Sequence, residues 1–91
     1  MILKRKSDVE MTTIDDEVVL IDPEKGYYYG LEGSSKYLWE ALNNSQKSTE
    51  EIIQEWTPSF TNSATELHRL LEDAVIALRE HGLILVLSDE K

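Results

Sequence analysis

The stretch Glu17–Leu31, EVVLIDPEKGYYYGL, constrains this chain more than any other part of it. Two short runs of β-branched, aliphatic and aromatic residues flank Asp22-Pro23-Glu24-Lys25-Gly26. Proline presets φ at the second position of a turn, and glycine accepts the left-handed conformation where the chain re-enters the ladder. The two runs are therefore expected to fold back on each other as antiparallel strands. In the first, Val18 and Leu20 share one face and Val19 and Ile21 the other. In the second, Tyr27, Tyr29 and Leu31 lie opposite Tyr28 and Gly30. An earlier β-rich run, Val9–Ile14, stops at the acidic turn Asp15-Asp16 and supplies a further strand. The expectation is a three-stranded antiparallel meander.

From Ser34 the apolar period changes from two to near 3.6. Tyr37, Leu38, Ala41 and Leu42 form a stripe with Trp39 at its flank, in a helix opened by Ser34 or the residue before it and broken at Asn43-Asn44-Ser45. Ser48 followed by Glu51 is a capping box, with Ile52, Ile53 and Trp56 as the buried side and Thr57-Pro58 as the stop. Ser63 and Glu66 form a second box ahead of Leu67, Leu70, Leu71, Ala74 and Leu78. This spacing predicts a third and longest helix of roughly eighteen residues, with His81 in its last turn and Gly82 as a left-handed cap. Leu83–Leu87 is an extended apolar segment that either pairs with a strand or packs under the helices, and Ser88–Lys91 should fray. The fold class is α+β: a winged-helix-like single domain over residues 1–91, its three-stranded antiparallel sheet packed against a three-helix cluster.

Charge narrows the partners. Eighteen acidic against nine basic residues give a formal charge of −9, which repels phosphate backbones and anionic lipid. The third helix carries Arg69 and Arg79 against Glu66, Glu72, Asp73 and Glu80, the wrong sign for a DNA-reading element. Neither nucleic acid nor membrane is an expected partner. Lys4-Arg5-Lys6 is the local exception, read as a solubilising cluster in a mobile N-terminus. MILKRK is followed by no apolar run or cleavage site, and the longest apolar run, Leu83–Leu87, is far below the ~20 residues that span a bilayer. With no cysteine, this fits a cytoplasmic protein.

Nothing in the sequence assembles a catalytic apparatus. His68 and His81, thirteen apart on one helix, point to different faces and cannot share a metal, so they are read as surface histidines. Ser34-Ser35 lacks the GxSxG context of a nucleophile and serves as helix cap; Gly26, Gly30 and Gly33 match no phosphate loop. The chain is not expected to be an enzyme or to hold a metal or cofactor.

The aromatic strand has two readings. Tyr27–Leu31 carries no lysine, proline or bulge to blunt a sheet edge, so an exposed edge here offers unpaired N–H and C=O groups to an incoming strand. Tyrosine suits a surface that is soluble when empty and adhesive when occupied. Alternatively, Tyr27 and Tyr29 simply cap a small core.

The order of EVVLIDPEKGYYYGL, SKYLWEAL, STEEI and a long helix closing on HGLI resembles the PqqD-like family, the peptide-recognition modules of ribosomal-peptide biosynthesis also called RiPP recognition elements. The likeness runs from Val9 to Val86 and lies in order and spacing. One departure is Glu32-Gly33-Ser34, where many relatives open the first helix with asparagine. The resemblance implies a non-catalytic module that captures the leader of a precursor peptide as an added antiparallel strand on the third strand, with side chains packing against the third helix. Carried over, the strand edge is Tyr27, Tyr28, Tyr29, Gly30 and Leu31, and the helix wall is drawn from Leu67, Leu70, Leu71, Ala74 and Val75, some of which must face the core. The aromatic third strand and the tryptophan in the first helix look most like the stand-alone lasso-peptide subgroup. There the module, a monomer or weak dimer, presents the precursor to a separate leader peptidase, followed by a cyclase. The rival readings are a winged-helix DNA-binding regulator and an obligate docking subunit of an enzyme complex.

Overall fold

A computed structural model describes residues 1–43 and 45–88. The expected meander is present. β2 (Glu10–Ile14), β3 (Glu17–Asp22) and β4 (Tyr27–Leu31) form an antiparallel sheet in that order. Asp15 and Asp16 both adopt positive φ, 50° and 67°, the pattern of a tight primed hairpin turn that matches the twist of the flanking strands. At the other hairpin Gly26 has φ 72° and its N–H donates to the Asp22 carbonyl at 2.7 Å. The register pairs Val18 with Leu31, Leu20 with Tyr29 and Ile21 with Tyr28. Val18, Leu20 and Leu31 are buried, so the Tyr27/Tyr29/Leu31 face of β4 is the inner face.

A second sheet comes in addition, and it corrects the reading of the N-terminus. β1 (Ile2–Arg5) lies between β5 (Lys47–Ser48) and β6 (Ile84–Ser88), antiparallel to both. Leu3 is fully buried opposite Val86, and the Lys6 N–H extends the ladder to the Leu83 carbonyl. The basic cluster is spent on the fold. Arg5 lies 4.3 Å from the Trp39 ring centre and donates from Nε and Nη2 to the Trp39 carbonyl, at 3.0 and 2.6 Å. Lys6 bridges Asp22 and Glu24 at 3.1 and 3.0 Å. A segment so paired is a strand, because its two alternate side chains, Leu3 and Arg5, both find inward partners. Ser88, expected to fray, closes β6 opposite Ile2; Asn44 and residues 89–91 lie outside the described residues.

The helices are α1 (Ser34–Ala41), α2 (Thr49–Trp56) and α3 (Ala64–Glu80), with a short 3-10 turn at Thr57–Ser59. Both capping boxes form: Ser48 and Ser63 each accept from the N–H three residues on, and Glu51 and Glu66 return to the cap N–H groups. The cap of α1 is Gly33, at φ 56° and without a side-chain bond. Its buried stripe is Ser35, Leu38, Trp39 and Leu42. Trp39 is thus a core residue, whereas Tyr37 is 45% exposed and meets Phe60 edge-on at 5.1 Å. α1 packs along α3, and one apolar cluster joins Leu20 and Leu31 of the meander, Leu38 and Trp39, Leu67, Leu71 and Leu78, and Leu3 and Ile84.

Candidate functional site

The meander meets α3 at its hairpin end, and the turn after β4 faces α3 across a small cavity. At the hairpin end the Tyr27 hydroxyl donates to the His81 carbonyl at 2.7 Å, and the Tyr29 ring lies 4.3 Å from the His81 imidazole at 42°. This capping carbonyl at the C-terminus of α3 is an orphan acceptor by the geometry of helices, so the phenol supplies what the helix itself cannot. At the far end of β4, Gly33 and Ser34 share a small cavity of about 210 Å³ with Tyr37, Phe60, Leu67 and Leu70. β4 therefore runs from the end of α3 back toward its start, antiparallel to the helix axis.

Asp22 fixes the base of the hairpin. Its Oδ1 accepts from the N–H groups of Glu24 and Lys25 at 3.0 and 3.3 Å, and its Oδ2 from Lys6. Burial opposes the charged carboxylate, but these hydrogen bonds outweigh it and hold Asp22 below the usual carboxylate range. The turn is thereby tied to the end of β1.

With its hairpin end anchored, β4 pairs with β3 on one side only. Its three tyrosines divide the work. Tyr27 and Tyr29 are half-buried struts between hairpin and helix, while Tyr28 is 72% exposed. β2 also has a free outer edge, but all five of its residues are exposed and no helix stands beside it. β6 of the second sheet also has a free edge and packs on α3, but β4 combines a free edge with a side-chain tie to the end of α3. That combination gives an added strand both main-chain partners and a surface for alternate side chains.

The five expected helix-wall residues do not act together. Leu67 and Leu70 line the small cavity at the end of β4, with Leu70 only partly buried. Ala74 is fully buried. Leu71 and Val75 are buried and line a different cavity of about 420 Å³, with Met1, Ile76 and Arg79. His81, which ties the tyrosine strand to the helix, is the candidate-site residue that sequence reasoning missed. Its place at a helix C-terminus explained it sufficiently by local rules, and its contact with tyrosines more than fifty positions away has no local signal. Among the described residues no group of three or more His, Cys, Asp or Glu is arranged to hold a metal ion.

Residues 17–84 match the family described as Coenzyme PQQ synthesis protein D (PqqD). The chain belongs to the PqqD family. The match spans the meander from β3 onward, all three helices and the start of β6, so the free edge and its helix both fall within the family region. Among solved structures, this PqqD-family chain is similar to TbiB1 in complex with the TbiA(beta) leader peptide. The likeness covers 94% of this chain and 99% of that one, at 30% identity and TM-score 0.79. It is also similar in fold to lasso peptide synthetase B1 complexed with the leader peptide, over 92% of this chain and 98% of that one, at 21% identity and TM-score 0.74. Nothing among curated protein sequences matches it.

Proposed function

We propose that this PqqD-family chain is a leader-peptide-binding module of ribosomal-peptide biosynthesis, in the lasso-peptide branch. It captures a precursor leader as an extra antiparallel strand on β4 and holds it for a separate leader peptidase, with a cyclase acting afterwards. The observation that carries this reading is the free edge of β4 beside α3, tied at Tyr27–His81, with Gly33 and Leu70 lining one small cavity beyond its other end. The 30% identity to TbiB1, a protein solved with a leader peptide, supports it. The chemistry is binding: main-chain pairing gives affinity tolerant of sequence, and anchors against the helix select a few side chains. Tyr27, Tyr28, Tyr29, Gly30 and Leu31 supply the strand, Leu67 and Leu70 the anchor cavity, and Ala74, Leu71 and Val75 the packed body of the helix behind it.

Ordering a disordered leader offsets part of the contact energy, which puts the expected binding free energy at about −8 to −10 kcal/mol, high-nanomolar to low-micromolar. The test is fluorescence anisotropy with a synthetic leader from the short reading frame nearest the gene. Tyr28→Pro and Gly30→Pro each remove a main-chain donor from β4, and affinity should fall at least about tenfold while the circular dichroism spectrum stays that of the folded protein. Unchanged affinity in folded proline variants argues against strand addition on this edge.

A further inference from the structure

We infer that the peptide strand captured on β4 carries a lysine or arginine opposite Gly30, its cationic head held by the Glu17 carboxylate and its stem laid against the Tyr28 ring. The inference deepens the leader-capture reading and rests on it.

Gly30 is the starting point. Its φ is not among the positive ones, so the backbone does not demand glycine there. A Cβ built on it meets nothing closer than the Glu17 Oε2 at 3.7 Å, an ordinary contact. The fold therefore has room for a side chain that the sequence leaves out. What remains is a notch in the outer face of the strand. Tyr28, two residues back on the same face and 72% exposed, forms one wall; Val19, the ladder partner of Gly30, forms the floor beside it; the Glu17 carboxylate stands over the gap.

That carboxylate is uncommitted. The ion pairs of the described residues are Lys6 with Asp22 and Glu24, and Lys47 with Glu55, and Glu17 enters none of them. An acid beside an open strand edge, with no cation paired to it among the described residues, is a group open to a charge from outside.

Strand geometry says where that charge must come from. Side chains of an added strand alternate between the inner face and the outer face. The residue paired with Gly30 points outward with it, into the notch, where no side chain of β4 competes for space. A long aliphatic stem with a charged tip matches an aromatic wall ending in a carboxylate, because lysine and arginine bury their stems while keeping the head polar. An apolar residue fills the same space but covers the carboxylate without pairing it, and an acidic one is repelled. The formal charge of −9 acts in the same direction, steering a cationic segment toward the surface before it docks.

The experiment uses the full chain and the labelled leader from the neighbouring short reading frame, with each of its lysines and arginines changed singly to methionine. Against the wild-type chain, one of these changes weakens binding about three- to tenfold, as expected for a charge pair partly shielded at an interface rim. Against Glu17→Gln, that same change has no effect. Glu17→Lys binds the original leader poorly and regains affinity when the critical cation is changed to glutamate. Glu17 is exposed, so these variants fold, and their circular dichroism checks it. If every lysine and arginine change is silent, or the loss is equal in Glu17→Gln, the inference falls and leader capture stands. If the leader fails to bind the wild-type chain at all, both fall.

Discussion

At Asp22 a carboxylate only 1% exposed receives three donors: two turn N–H groups and the Lys6 ammonium. Its folded pKa lies below the ordinary value, so its stabilising effect is present above the unfolded pKa of about 4 and is lost as pH falls through the folded value. Lys6, raised by its hydrogen bonds to Glu24 and Asp22, works at the opposite end of the scale: its contribution is present below about pH 10 and lost as pH rises past the folded value. Asp22→Asn keeps an oxygen for the two turn N–H groups but removes the acceptor of Lys6, whereas Asp22→Ala removes both. At pH 7 the melting temperatures should order wild type above Asp22→Asn above Asp22→Ala. The gap between wild type and Asp22→Asn should hold constant from pH 5 to pH 9, values about one unit or more inside the two reference pKa values, and close as the pH drops below about 4. A gap as wide at pH 2.5 as at pH 7 means the carboxylate charge contributes nothing. Glu66 is lowered in the same way, chiefly by the Ser63 N–H, so some acid sensitivity survives in the Asp22 variants.

At the scale of elements, the contrast lies between structure written locally and structure created by meeting. Ser48 with Glu51 and Ser63 with Glu66 are bonds between residues three apart, and both were legible because their physics is contained in four residues. The turn at Asp22–Gly26 was legible for the same reason, and so was the sorting of β3 and β4 residues into two faces, though not which face is the inner one. β1 was not. ILKR has two apolar residues beside a run of charge, and what makes it a strand is the pairing of Leu3 with Val86 and Lys47, partners drawn from distant parts of the chain. Trp39 was read as a flank residue for want of knowing that Arg5 would cover its ring; Tyr37 was read as stripe although Phe60 meets it at the surface. Of the site, the strand could be read and the helix contact could not, since His81 acquires its role only when the hairpin arrives. Truncation measures this difference. Leu3→Ala, in a fully buried position, should cost about 2–5 kcal/mol in urea unfolding, while Ser63→Ala should cost about 1 kcal/mol. A silent Leu3→Ala would restore the picture of a mobile N-terminus.

For the whole molecule the question is which edge a peptide takes. β4 is not alone in having a free side: β2, β5 and β6 also end their sheets, β5 with only two residues, and β6 exposes Leu85 and Leu87 to 44% and 48%. Main-chain groups are alike on every edge, so backbone chemistry cannot choose. Side-chain surroundings can. β2 has no neighbouring wall, and β6 presents its leucines outward, next to Lys4 of β1. β6 also packs on α3, but β4 has the Tyr27–His81 tie to that helix, the small cavity near its end and the Glu17 carboxylate over Gly30 on its outer face. Its hairpin end is already tied to α3 and its length is paired to β3, so binding should order the leader far more than the protein, and the gain should appear as added stability of the complex. At a free leader concentration one hundred times the dissociation constant, linkage gives about 2.7 kcal/mol. At about 4–8 °C per kcal/mol for a chain of this size, the melting temperature should rise by roughly 10–20 °C. Hydrogen exchange then assigns the edge. Leader binding should slow exchange at the alternate β4 amides that do not pair with β3, and leave the free edges of β2 and β6 unchanged. Protection that appears on β6 instead would move the site to the second sheet, and the thermal shift alone could not tell the two apart, because any ligand that prefers the folded state raises the melting temperature wherever it binds.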